Sequence, residues 1–189
     1  MEFKLVYKGE MKTHPKHRKH YIHDIRLLFH EQLKNLVKIP PFSELKKFIN
    51  PDDAKFFEMH GRRPKNIVKK MNGVEFVPII SPEMDLLAEI DIEILHPELL
   101  GTARADIDNR LKTLLDTLKR PQNPMEIPRE QPKGARIYTL LDDDKMITKL
   151  NVNTSHLLIE EVAPDEIFMM INVKVVASKG TFDNIHLVV

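Results

Sequence analysis

Phe3, Leu5 and Tyr7 fall on every second position, a period that predicts a short first strand. From Tyr21 to Val37 the period lengthens. Ile22, Ile25, Leu28, Phe29, Leu33 and Leu36 share one broad face of a helix, which Pro40-Pro41 ends. Residues 39–74 read as an inserted group of short helices. Asn50-Pro51-Asp52-Asp53 supplies a cap, a first-turn proline and first-turn acids, and Gly61 supplies a stop.

Strands are then predicted over 75–80 and 85–95. In the second, Ile90, Ile92 and Ile94 alternate with Glu89, Asp91 and Glu93, the mark of a strand with one buried face. Leu111, Leu114, Leu115 and Leu118 recur at helical spacing and predict a second firmly seated helix. Pro121, Pro124, Pro128 and Pro132 make the stretch from Arg120 to Lys133 a long, exposed connection. Further strands are expected over 136–141, 146–152, 155–162 and 167–177, with residues 185–189 as a final edge. The pattern as a whole predicts one domain, residues 1–189, with 39–74 inserted.

Composition narrows the chemistry. The chain has 189 residues, 42% hydrophobic and 30% charged, as in a soluble globular domain. It has no cysteine, which excludes a disulfide scaffold, thiol chemistry and thiolate zinc sites. No stretch approaches the roughly 20 apolar residues of a membrane span, and the start lacks the apolar run of a signal peptide. A cytoplasmic location without membrane association is the expectation. The net charge is only +1, but it is unevenly spread. Residues 1–80 hold 17 Lys/Arg against 9 Asp/Glu, and residues 81–189 hold 12 against 19. A basic part beside an acidic part suits a protein that grips phosphates with one surface and holds a cation with another. It also suits two solvated surfaces that balance one another.

The densest chemistry lies in Asp106-Ile107-Asp108-Asn109-Arg110-Leu111-Lys112, followed by Asp116 and by Asp142-Asp143-Asp144. Asp108, Lys112 and Asp116 are spaced i, i+4, i+8 and line one stripe of the leucine helix. Asp108 or Asn109 is placed to cap it. Clustered carboxylates repel, and a hard divalent cation removes the conflict. A cation held there would polarise a phosphate oxygen, and Lys112 would offset charge in the transition state. An Asp–Lys–Asp ion-pair ladder beside a solvated acidic turn fits the same spacing. His14, His17, His20, His23 and His30 crowd one segment, yet no carboxylate–histidine pattern completes a zinc site around His20 and His23.

The order Asp106-x-Asp108-Asn109-x-x-Lys112-x-x-x-Asp116-x-Leu118, then Asp142-Asp143-x-x-Met146-Ile147, resembles the RusA family of Holliday junction resolvases. The resemblance covers residues 85–152 well and residues 2–37 more loosely. It implies an α+β fold, a mixed sheet packed by helices, with 39–74 as a helical addition. It implies a homodimer that cleaves four-way DNA junctions in recombination and repair, with Mg²⁺ as cofactor and Mn²⁺ as a substitute. Its catalytic positions fall on Asp106, Asp108, Lys112 and Asp143. Metal ligands fall on Asp106, Asp108 and Asp143 with Asp142 adjacent, and Asn109 and Asp116 support them. Lys16, Arg18 and Lys19 in the basic loop, with Arg104 and Arg110 beside the motif, are the expected DNA contacts. Three consecutive acids allow the Asp-Asp pair two registers. A DNA-binding module without turnover and a metal-dependent hydrolase acting on other nucleic acids remain as alternatives.

Overall fold

The computed structural model describes residues 1–12, 15, 17–50, 65–97, 107–158 and 166–188. These form an α+β fold with two mixed sheets. The first sheet orders its strands β1 (Glu2–Glu10), β7 (Glu166–Ala177), β4 (Leu86–His96) and β6 (Ile147–His156). β7 runs antiparallel to both β1 and β4, whereas β4 and β6 are parallel. The second sheet orders β2 (Lys69–Met71), β3 (Val74–Ile80) and β5 (Arg136–Leu141), with β3 and β5 parallel.

Alternation sets the register of the large sheet. Ile90 stands between Val173 and Leu150, and Ile92 between Ile171 and Val152, so this part of one face is apolar. On the other face Glu89 lies between Lys174 and Lys149, and Asp91 between Asn172 and Asn151. A one-residue slip would exchange the two sets, so the burial of the isoleucines fixes the pairing.

α1 (Arg18–Leu36) buries His23, Ile25, Arg26, Phe29 and Leu33. One core joins Ile25, Phe29 and Leu33 to Leu5, Ile79, Ile92, Leu114, Leu118, Leu140 and Ile171. The Gln32 amide of α1 also reaches the outer edge of β1. It accepts from Val6 N at 2.9 Å and donates to Val6 O at 2.7 Å, as a neighbouring strand would. That blunts an edge otherwise open to pairing.

Several boundaries differ from the sequence pattern. α1 begins at Arg18, so part of the expected basic loop is helical. Within 39–74, the described helix is confined to a turn at Phe42–Leu45 and the four-residue α2 (Lys46–Ile49). Residues 51–64 lie outside the described residues, and with them the Asn50-Pro51-Asp52-Asp53 start signal beyond its asparagine. The end of that segment is sheet: β2 and β3 form a hairpin across Asn72-Gly73. Both turn residues have positive φ, 49° and 78°, the geometry that selects Asn-Gly.

The two strands expected at 146–152 and 155–162 are one strand through His156, because pairing with β4 continues unbroken across Asn153 and Thr154. Residues 185–188 form a helix, α4 (Ile185–Val188), and not an edge strand. Four residues are too few to show a period. What fixes the turn is Asn184, whose side chain accepts from Thr181 N and donates to Met84 O and Lys179 O. No helix among the described residues is long and apolar enough to cross a membrane.

Candidate functional site

The acidic motif enters α3 (Ile107–Leu118), whose buried side chains are Arg110, Thr113, Leu114, Thr117 and Leu118. Leu114 and Leu118 are fully enclosed, but Leu111 and Leu115 are only half-buried. The buried stripe is thus turned by about one position from the leucine pattern. Thr113 and Thr117 can occupy it because a threonine inside a helix can satisfy its hydroxyl locally. Thr117 does so by donating to Leu114 O at 2.6 Å.

A charged cluster closes the C-terminal end of α3. Arg26, reaching across from α1, donates from Nη2 to Asp116 O at 2.8 Å and from Nε to Lys119 O at 3.1 Å. These are among the last carbonyls of the helix, which have no partner within it. Burial pushes the Arg26 guanidinium down to about 10, against the pull of Glu126 and Asp116. The Asp116 carboxylate takes Arg18 Nη2 at 2.9 Å and Lys119 Nζ at 3.3 Å. Lys119 then reaches Asp144 at 2.8 Å.

The loop after β5 is bound into the same end. Arg120 Nε meets Asp142 Oδ1 at 2.5 Å, Gln122 donates to Asp142 O at 2.6 Å, and Arg120 N donates to Leu141 O at 3.0 Å. Asp143 caps the turn Asp144–Met146 by accepting from Lys145 N. The hydrogen bond from Lys119 holds the Asp144 carboxyl below the usual range, with desolvation opposing it. Desolvation lowers Lys119, but its bonds to Asp144 and Asp116 outweigh that and leave it raised.

Asp108 and Lys112 occupy the other end of α3. Both are exposed, and Asn109 between them is half-buried. From Asp108 to Lys119 the helix and its continuation rise ~16 Å. β4 separates the two ends in the same sense. Arg110 Nη2 lies 3.0 Å from His96 Nε2, at the end of β4. Asp144–Met146 leads into Ile147, opposite Ala88 near the start of β4. Within one chain, then, the structure gathers Asp116, Asp142 and Asp144 around cations, and it sets Asp108 and Lys112 apart from the Asp142–Asp144 turn. Among the described residues no group of three His, Asp or Glu side chains is placed to hold a metal ion.

Asp106, Lys16 and Arg104 lie outside the described residues, as does His14. Of the remaining expected DNA contacts, Lys19 is exposed. Arg18 is paired with Asp116 and also donates to Thr113 Oγ1 at 3.3 Å. Arg110 is buried against His96, so it cannot serve as a surface contact in this conformation.

Two of the clustered histidines, His23 and His30, are accounted for by packing. His23 Nε2 meets Gln131 Oε1 at 2.6 Å. His30 Nδ1 accepts from Tyr138 N at 2.9 Å while its ring stacks on that tyrosine. Arg26, Lys119, Arg120 and Gln122 were not singled out by the sequence pattern. Arg26 alone carries a signal, since it sits on the apolar face of α1 between Ile22, Ile25 and Phe29.

The chain was compared with protein-family models, curated proteins and solved structures, and no match was found in any of the three.

Proposed function

We propose that this chain is a divalent-cation-dependent, structure-selective DNA endonuclease of the RusA type, acting as a homodimer on four-way junctions. The observation that carries the reading is the placement of the carboxylates. Asp116, Asp142 and Asp144 are each engaged by Arg or Lys at one end of α3, and Asp108 and Lys112 stand exposed one turn apart toward its start. Ion pairing favours one register of the acidic run. Asp143 has no Lys or Arg ion-pair partner among the described residues, and its neighbours on both sides do.

Oxygen donors without thiols or imidazoles suit Mg²⁺ or Mn²⁺. Asp106, Asp108 and Asp143 would hold the ion, and Asp142 would brace the turn that carries Asp143. When bound, such an ion polarises a phosphate oxygen and lowers the pKa of a coordinated water. Lys112 supplies a fixed positive charge one turn from Asp108, where it meets negative charge developing on the phosphate. Asn109 and Asp116 orient: the first at the helix start, the second by fastening Arg18 and Lys119.

The separation of Asp108 from the Asp142–Asp144 turn within one chain is what a homodimer would resolve. In a two-fold pair the turn of one copy can stand beside the α3 start of the other, and both sites complete at once. Two such sites suit a substrate that is itself nearly two-fold. The test is nicking of a synthetic four-way junction with and without Mg²⁺. Asp108→Asn and Lys112→Ala should abolish it, and unchanged nicking by either variant refutes the assignment. A DNA-binding protein without turnover is the second reading, favoured by the cations that already occupy Asp116, Asp142 and Asp144. It requires that Mg²⁺ and Mn²⁺ leave thermal stability unaltered.

A further inference from the structure

We infer that the proline-rich connection after α3 forms, with the start of α1 and the β2–β3 turn, a groove that seats the phosphate backbone of a duplex DNA arm. The inference rests on the endonuclease reading for its choice of ligand, and it concerns a surface distinct from the α3 carboxylates. The groove encloses about 930 Å³ and is lined by Lys19, Arg129 and Lys133, with the amides of Asn72 and Gln131 and the exposed Met125 among its other walls. Among the described residues no acidic side chain lines it. Neither Lys19, Arg129 nor Lys133 has an ion pair among the described residues, in a molecule where Arg18, Lys119, Arg120 and Arg136 all do. Lys19 also stands in the first turn of α1, where a cation opposes the helix dipole and no acid offsets it.

The groove is built, not incidental. Gly134 N donates to Gly73 O at 2.7 Å, and Asn72 Nδ2 donates to Pro124 O at 2.9 Å, which ties the connection to the hairpin on both sides. A Cβ on Gly73 would lie 3.2 Å from Lys133 Cγ, so the turn glycine leaves room for that lysine to lie across it. Asn123 and Glu126 close a reciprocal cap on the turn at Pro124–Glu126. Prolines and these bonds hold Arg129 and Lys133 in place without the ordering penalty of a loose loop, and α1 holds Lys19.

Position and composition select the ligand. An adjoining hollow of about 430 Å³ shares Lys19 and Met125 with the groove and reaches Asp116 on α3 and Lys119 just beyond it, with Arg18 and Glu126 also on its walls. Asp116 is one turn from Lys112, so backbone gripped in the groove continues toward the proposed reacting end. Among the described residues no aromatic side chain lines either hollow. Single strands are usually held by bases stacked on aromatic rings, whereas duplex arms need only phosphate contacts.

The test is binding of a fluorescent duplex and of a four-way junction, in the absence of divalent cation, by the full chain and two triple variants. K19A/R129A/K133A empties the groove of charge. K4A/K38A/K179A removes the same charge from exposed positions elsewhere. The groove variant should bind at least tenfold more weakly near 0.1 M salt, and its log–log salt slope should flatten by about 2–3. The control should stay within about twofold of the parent, since its lysines make no phosphate contact. Equal losses in both variants, parent-like binding by the groove variant, or binding of polyglutamate but not duplex each overturn the inference. Groove-dependent DNA binding without any Mg²⁺-dependent nicking would uphold the groove and remove the endonuclease reading, so the two fail separately.

Discussion

Arg120 and Asp142 form a nearly enclosed ion pair, Nε to Oδ1 at 2.5 Å, where α3 ends and β5 ends. The Asp142 backbone is held as firmly, its N–H donating to Ile80 O at 3.0 Å and its carbonyl accepting from Gln122. An acid so committed is a brace. Arg120→Ala should destabilise the fold by about 3 kcal/mol, because it strands a buried carboxylate. Asp142→Asn should lose less stability and keep a substantial part of the nicking rate. Asp143→Asn should reverse that profile, with stability unchanged and nicking lost. Denaturant unfolding beside the junction assay reads both. Loss of nicking in Asp142→Asn without loss of stability would reassign the metal register.

The separation of Asp108 from the Asp142–Asp144 turn makes the active site testable as a composite. If Asp108 of one copy works with Asp143 of the other, D108N and D143N homodimers are both inactive, but a mixed dimer holds one intact site and one doubly altered site. Random mixing at equal concentrations should restore about a quarter of the parental sites. Separately tagged chains, co-purified and assayed on a four-way junction, measure this. No activity in the mixed dimer would mean that both carboxylates act from one chain.

How far the sequence reached is plain in these same residues. The isoleucine alternation of β4 and the period of α1 were legible because burial on one face leaves a simple mark. The acidic motif was legible as spacing, but spacing along a chain cannot say which end of a helix a later turn will meet. The contact between Lys119 and Asp144 depends on β5 returning parallel to β3, a pairing with no local signature. Arg26 was hidden for a related reason. A charged residue on an apolar helix face becomes intelligible only when the carbonyls it satisfies are known.

That arginine gives the third prediction. Arg26 bridges two terminal carbonyls of α3 from inside the core, and it is 1% exposed. Arg26→Ala should cost about 3 kcal/mol, from unpaired carbonyls and lost packing together. Arg26→Lys keeps the charge but cannot span both oxygens, so it should recover only part of the loss. Since Asp108 lies at the far end of the helix, nicking by the folded fraction should be little changed. Unfolding curves and activity normalised to folded protein would check this. Full rescue by lysine would show that charge alone matters there.

Acid should weaken the fold before any carboxylate is protonated. Desolvation lowers His23, countered in part by the hydrogen bond to Gln131, and desolvation lowers His30, countered in part by Glu31. His30 has a further reason to stay neutral, since Nδ1 must accept from Tyr138 N. Both folded-state values lie below the unfolded value of about 6.5. Above that pH the two rings are neutral in both states and their contribution is fully present. As pH falls below it the unfolded chain takes up protons first, so stability is lost until the folded values are passed. The loss can approach 1.36 kcal/mol per pH unit for each ring. Unfolding free energies between pH 7 and 5 should therefore fall, and His30→Gln, which keeps an acceptor, should flatten the slope by about half. Glu44, Glu75, Glu83 and Asp144 are all held below their usual values, so their contributions fade only at lower pH. A slope unchanged by His30→Gln would mean that the ring is charged in the folded protein, and that the Tyr138 N–H finds its acceptor elsewhere.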